Sequence, residues 1–161
     1  AQKKISGFTN DEELLLIPDA PTIFPFLLQD KIKAQGAQFN EGPMYLEQVS
    51  HDNNLITGQN PWSTWQMAER MIVQLGYRPK PREITDEENA IRVLSVYTTE
   101  GKQKAKEVIA HLMLEEKQPF NRVLLAKHGI LAAMQGEVGK FFNLIGLVSY
   151  AKKMEAKNVN I

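Results

Sequence analysis

The first half of the chain alternates short apolar runs with polar turns, whereas the second half places apolar residues at helical spacing. The segment Leu55-Ile56-Thr57 is typical of a strand end, and Gly58, Asn60 and Pro61 supply a bend, a helix cap and a first helical residue. Three more apolar runs fit short strands, at residues 4–8, 37–40 and 46–49. A helix after Pro61 carries a stripe that we expect to lie against a sheet, formed by Trp65, Ala68, Met71, Ile72 and Leu75. This half therefore predicts an α/β fold.

The run Arg78-Pro79-Lys80-Pro81-Arg82 separates the two patterns, because two prolines cannot continue the preceding helix. We place a domain border here, with an α/β region of residues 1–78 and a helical extension of residues 79–161. Thr85 and Glu88 have the spacing of a capping box at the start of the first helix of the extension. Three more apolar stripes follow, within residues 105–113, 120–134 and 141–148. They predict a small all-α bundle.

Composition excludes several classes of function. The 161 residues carry no formal net charge, so no overall field recruits nucleic acid or an anionic membrane. The chain has no cysteine, which excludes disulfides, thiolate metal sites and a cysteine nucleophile from this chain. His51, His111 and His128 lack metal-ligand spacing, and we expect them in a solvated loop and at helix surfaces. We predict neither a metal nor a cofactor, and no membrane-spanning segment.

Three motifs in the first half carry a family resemblance. They are Lys4-Ile5-Ser6-Gly7-Phe8-Thr9-Asn10-Asp11-Glu12-Glu13, Phe24-Pro25-Phe26-Leu27-Leu28-Gln29-Asp30-Lys31-Ile32-Lys33 and Leu55-Ile56-Thr57-Gly58-Gln59-Asn60-Pro61. In this order and spacing they resemble the C-terminal portion of the ThiJ/PfpI family of the class I glutamine amidotransferase-like superfamily, closest to its glyoxalase/chaperone branch. The resemblance covers roughly residues 3–75 and implies the C-terminal part of a flavodoxin-like three-layer sandwich, followed here by the helical extension.

The same resemblance implies a cysteine-dependent function. Family members use a cysteine, commonly followed by histidine, in glyoxalase, deglycase or amidase-type hydrolytic reactions of small carbonyl substrates, and some act as holding chaperones. The cysteine elbow lies upstream of the matched part, so we expect this cytoplasmic chain to lack the nucleophile and to be inactive alone. Its expected partner is the missing N-terminal half or a second copy in a homo-oligomer. A glutamine amidotransferase-related subunit that acts with a synthase is a further alternative.

The resemblance also assigns candidate site residues. It places the acid that orients the histidine at Glu13, with Glu12 as the adjacent possibility, and it places Gly58, Asn60 and Pro61 near the substrate. Local structure offers a competing interpretation, because Asn10 and Glu13 also fit a capping box and the other three fit a turn and a helix cap.

A non-enzymatic interaction or chaperone module is the alternative function. Its partner would be an unfolded protein, and its apolar contact residues would be Phe141, Phe142 and Leu144, which also fit a helical core.

Overall fold

The computed structural model describes residues 2–158, without the side chain of Asn158. The chain forms two compact units, Ala1–Pro81 and Arg82–Ile161, called unit 1 and unit 2 below.

Unit 1 combines short helices with two small sheets. Its elements in chain order are β1 (Lys4–Ile5), α1 (Asn10–Leu16), α2 (Ala20–Ile23), α3 (Leu28–Ala34), β2 (Gln38–Phe39), β3 (Val49–Asp52), β4 (Leu55–Gly58), a 3₁₀ turn (Pro61–Ser63) and α4 (Thr64–Gln74). Strands β1 and β2 pair in parallel, with Lys4 opposite Gln38. Strands β3 and β4 form an antiparallel hairpin whose turn residue Asn53 has a φ of 58°, a conformation that asparagine tolerates.

The expected flavodoxin-like sandwich followed by a bundle is wrong. Residues 2–158 contain two sheets of two strands each, and eight α-helices account for most of the regular structure. A three-layer sandwich needs an extended parallel sheet with helices on both faces, which a two-residue parallel pair does not provide. The descriptions flavodoxin-like, glutamine amidotransferase-like and glyoxalase therefore lack structural support.

Polar side chains explain why the first strand is so short. The Ser6 hydroxyl donates to the backbone oxygen of Asn40 at 2.7 Å and lies 2.8 Å from the hydroxyl of Ser50. The Ser6 amide donates to the side-chain oxygen of Thr57 at 2.9 Å instead of to a strand partner. Side-chain acceptors thus compete with the ladder, and β1 ends at Ile5.

Unit 2 consists of helices in its described part. They are α5 (Asp86–Glu100), α6 (Lys102–Ala110), a π turn (His111–Glu115), α7 (Arg122–Met134) and α8 (Val138–Asn158). The predicted capping box at the start of α5 is confirmed, because Thr85 and Glu88 exchange both capping hydrogen bonds. Fully buried side chains from all four helices and the π turn form the core, and the largest are Ile109, Leu112, Leu125, Leu144 and Leu147. None of the helices described is long and apolar enough to cross a bilayer.

Candidate functional site

A fully buried carboxylate lies at the centre of unit 1. Both oxygens of Glu12 accept hydrogen bonds, and the side chain has no exposed surface. Its Oε2 accepts from the amide and the hydroxyl of Thr9, at 3.0 and 3.2 Å. Its Oε1 accepts from the Tyr45 amide, Gln59 Nε2 and Asn60 Nδ2, at 2.7, 3.0 and 2.8 Å. Glu12 thus joins the start of α1, the loop before β3 and the segment after β4.

The capping box of α1 explains how Glu12 reaches this position. The N-cap is Thr9, whose hydroxyl accepts from the Glu12 amide at 3.1 Å while the Glu12 carboxylate accepts from the Thr9 amide. The box is therefore one residue earlier than the Asn10–Glu13 pairing that the sequence suggested. This register turns Glu12 inward, because the third helical residue of a capping box must fold back onto the cap.

Tyr45 is the second member of this network, and no sequence pattern indicates it. Its φ of 54° is in the left-handed region, which is uncommon for a bulky residue and places its amide on Glu12. Its hydroxyl donates to the backbone oxygen of Glu12. Burial, and then the charge of Glu12, raise the pKa of Tyr45 to about 12. The phenol therefore remains a proton donor at neutral pH.

The structure brings one of the predicted substrate-binding residues to Glu12 and gives the other two local roles. Asn60 caps the 3₁₀ turn by accepting from the Trp62 amide at 3.1 Å, and its Nδ2 donates to Glu12 and to the backbone oxygen of Leu46, both at 2.8 Å. Pro61 is the first residue of the turn. Gly58 ends β4 where a methyl group would lie 2.7 Å from Cβ of Ser63, so the close approach requires glycine.

We expect Gly58→Ala to lower the free energy of unfolding of unit 1 by about 1–3 kcal/mol, because the added methyl overlaps Ser63. Urea unfolding followed by tryptophan fluorescence measures this, since both tryptophans, Trp62 and Trp65, belong to unit 1. Gly7→Ala is the control, because its methyl would lie 3.3 Å from the flexible tip of Leu28. Equal stability of the Gly58 and Gly7 variants would contradict the packing role.

The first turn of α1 carries two side-chain oxygens, of Asn10 and Glu13, that accept no hydrogen bond from residues 2–158. The Glu13 side chain is half-buried and makes no hydrogen bond or ion pair within residues 2–158. Asn10 Oδ1 is buried and likewise lacks a partner in the described part of the chain, although its Nδ2 donates to Asp30 Oδ1 at 2.8 Å. Asn10 and Glu13 are three residues apart on one helix, so their side chains are neighbours. Each therefore has acceptor capacity for an incoming donor.

This geometry distinguishes the two glutamates that the sequence left as alternatives. A carboxylate offers about four lone-pair sites, and the five hydrogen bonds to Glu12 occupy them. Glu12 thus cannot accept a further histidine N–H without losing a bond, whereas Glu13 can. Glu12 holds the structure in place, and Glu13 has the chemical capacity of an orienting acid.

The three histidines do not form a metal site within residues 2–158. Among the described residues, no group of three acidic or histidine side chains has the arrangement of a metal site. His51 is exposed, and its Nε2 lies 2.7 Å from the backbone oxygen of Asn53. His111 is exposed, as expected, between Glu115 at 2.9 Å and Glu116 at 3.0 Å. His128 is buried in α7, so its expected surface position is wrong.

Comparison with known proteins gives two partial similarities. No protein-family model and no curated protein matches the chain. A solved structure designated APC35852 is 36% identical over 46% of this chain and 33% of that one, with a TM-score of 0.43. The Rapid Encystment Protein 24 KDa of Francisella tularensis is 30% identical over 46% of this chain and 32% of that one, with a TM-score of 0.43. The chain thus spans about a third of the length of each.

Proposed function

We propose that unit 1 is part of a ThiJ/PfpI-like, cysteine-dependent protein and contributes an orienting carboxylate, Glu13, to a site whose cysteine and histidine come from outside this chain. The chain itself has no cysteine, so it is inactive alone. The completed site acts on small carbonyl compounds in the cytoplasm, where thiols stay reduced.

The observation that carries this proposal is the pair of unfilled acceptors on the first turn of α1. The buried Asn10 Oδ1 and the unpaired Glu13 carboxylate face no donor within residues 2–158. Buried polar atoms in proteins almost always have partners, so the unfilled Asn10 Oδ1 favours a donor from another segment close to Glu13. The N–H of a neutral or charged imidazole is such a donor.

The arrangement around Glu13 suits the role of the third member of a Cys-His-acid triad. Such a carboxylate fixes the histidine tautomer and stabilises the imidazolium that forms when the thiol loses its proton. It must itself be held in place. The adjacent Glu12 does this, because its hydrogen bonds tie the first turn of α1 to Tyr45 and to Gln59.

Complementation tests the proposal. The chain is co-expressed with the Cys-His-bearing half of a ThiJ/PfpI protein, and turnover of methylglyoxal is used as the probe of carbonyl chemistry. We expect no turnover by the chain alone and turnover by the complex. Glu13→Gln should lower kcat of the complex by about 10²- to 10⁴-fold, because the histidine loses its orienting acid.

Asp11→Asn is the matched control, since Asp11 is an exposed acid on the same turn of α1. It should leave kcat unchanged. Turnover by the chain alone, or an equal loss in both variants, would contradict the proposal.

A second candidate function, a non-enzymatic interaction module, is favoured by the C-terminal end of α4. Val73 and Leu75 are 59% and 71% exposed there, and no residue of α4 is buried. Apolar surface of this kind is typical of interaction sites. The sequence suggested residues of unit 2 for this role, and these differ in exposure. Phe142 is 65% exposed, whereas Leu144 is fully buried in the core.

Light scattering from a client protein as it is heated tests this candidate. If unfolded protein binds the end of α4, the chain should suppress aggregation of the client, and the double variant Val73→Glu/Leu75→Glu should lose that effect. Leu16→Glu, at another exposed position of unit 1, is the control and should retain it. Identical suppression by both variants would contradict binding at α4.

A further inference from the structure

A groove in unit 1 lies between the β3–β4 hairpin and α4. Its volume is about 400 Å³, within the range of roughly 300–1,000 Å³ that small-molecule sites occupy. The residues that line it include His51 from the hairpin, Arg70, Val73 and Gln74 from α4, and Pro79 from the segment after the helix. It shares no residue with the first turn of α1.

Arg70 is a charged group in this groove with unused hydrogen-bonding capacity among the described residues. It is half-buried, and it makes no hydrogen bond or ion pair within residues 2–158. A guanidinium presents several N–H donors in a planar fork that matches the two oxygens of a carboxylate. Gln74 is one helical turn further along α4, so its amide is beside Arg70 and adds another donor.

The remaining lining restricts the charge and shape of a ligand. Glu69 also lines the groove and is engaged in an interaction of its own. Its negative charge partly offsets the positive charge of Arg70. A site with this balance favours an anion with one negative charge over one with two, such as the hydrogen phosphate dianion. Val73 and Pro79 add apolar surface, which suits a ligand with an apolar body.

His51 lines the groove from the β3–β4 hairpin. Its Nε2 lies 2.7 Å from the backbone oxygen of Asn53, so this nitrogen donates and the ring is held in place. The ring therefore forms a fixed part of the groove lining on the hairpin side.

We infer that the groove binds a small monocarboxylate with an apolar body, whose carboxylate is held by Arg70 and Gln74 and whose body lies against Val73 and Pro79. This inference does not depend on the function proposed for Glu13.

Titration of the full chain with benzoate, followed by two-dimensional amide NMR, tests the inference. Benzoate should cause saturable shifts at His51, Arg70 and Gln74, and its uncharged isostere benzamide should bind at least about tenfold more weakly, because it lacks the charge that the fork recognises. Phosphate at the same ionic strength should cause no saturable shift.

Variants complete the test. Arg70→Gln should abolish saturable binding of benzoate, and Arg70→Lys should weaken it, because lysine keeps the charge but loses the fork. Arg78→Gln is the matched control, since Arg78 is exposed and does not line the groove, and it should bind benzoate like the parent chain. Equal binding of benzoate and benzamide, or unchanged binding in Arg70→Lys and Arg70→Gln, would overturn the inference.

Discussion

Replacing Glu12 by glutamine is expected to lower the free energy of unfolding of unit 1 by about 3–5 kcal/mol, the usual cost of removing one partner from a buried, charged network. The amide of glutamine supplies one acceptor oxygen, and its NH₂ group would face donors that now bind Glu12. Several of the donors from Thr9, Tyr45, Gln59 and Asn60 would then be buried without partners. Because whole domains are stable by only about 5–15 kcal/mol, this loss would remove a large fraction of the stability of unit 1.

Urea unfolding monitored by the fluorescence of Trp62 and Trp65 measures this loss, because both tryptophans lie close to the network in sequence and in unit 1. Glu13→Gln is the matched control and should change the free energy of unfolding by less than about 0.5 kcal/mol, as expected for a side chain that has no partner among the described residues. If the two variants were equally stable, Glu12 would not be the residue that holds unit 1 together.

Unit 2 is expected to lose stability between about pH 6.5 and pH 4. Burial, and then the ammonium of Lys140, lower the pKa of His128 from 6.5 to about 4. Below pH 6.5 His128 binds a proton in the unfolded chain but not in the folded chain, so the free energy of unfolding falls as the pH is lowered. The loss reaches about 3 kcal/mol near pH 4, where the folded form also binds the proton.

Urea unfolding monitored by circular dichroism at several pH values, with NMR titration of His128, measures this dependence. His128→Leu should remove most of the decline, because the titrating group is gone. His111→Gln is the control and should keep the decline. The hydrogen bond to Glu115 is the largest cause that raises the pKa of the exposed His111. The contribution of His111 to stability is therefore lost as the pH rises, which is the opposite direction. A His128 pKa near 6.5 in the folded chain would contradict the prediction.

Local sequence signals predicted the capping box of α5 and short strands that overlap β1, β2 and β4, but they did not predict that the sheets have only two strands each. The Thr85–Glu88 capping box was predictable because all its partners are within four residues. The apolar stripe after Pro61 correctly predicted the helix α4, but it did not predict how exposed that helix is. We expected it to lie against a sheet, and α4 does contact β4, but Met71 and Leu75 of the stripe are exposed because a two-stranded sheet covers only part of the helix.

The candidate site was predictable only in part. The resemblance assigned the orienting acid to Glu13, with Glu12 as the adjacent possibility, but the sequence did not show that Glu12 is buried, because that depends on a capping box that starts at Thr9 instead of Asn10. Tyr45 is 33 residues from Glu12 and has a left-handed backbone that no short motif indicates. Its role follows from tertiary structure alone.

The segment that joins the two units has a consequence for proteolysis. Both Arg78 and Lys80 are followed by proline, and trypsin-like enzymes do not cleave a peptide bond whose leaving amine belongs to proline. The next basic residue, Arg82, forms an ion pair with Glu88 at the start of α5, so its side chain is occupied. The connecting segment is thus rich in basic residues and yet resistant to trypsin-like proteases, which cleave after basic residues.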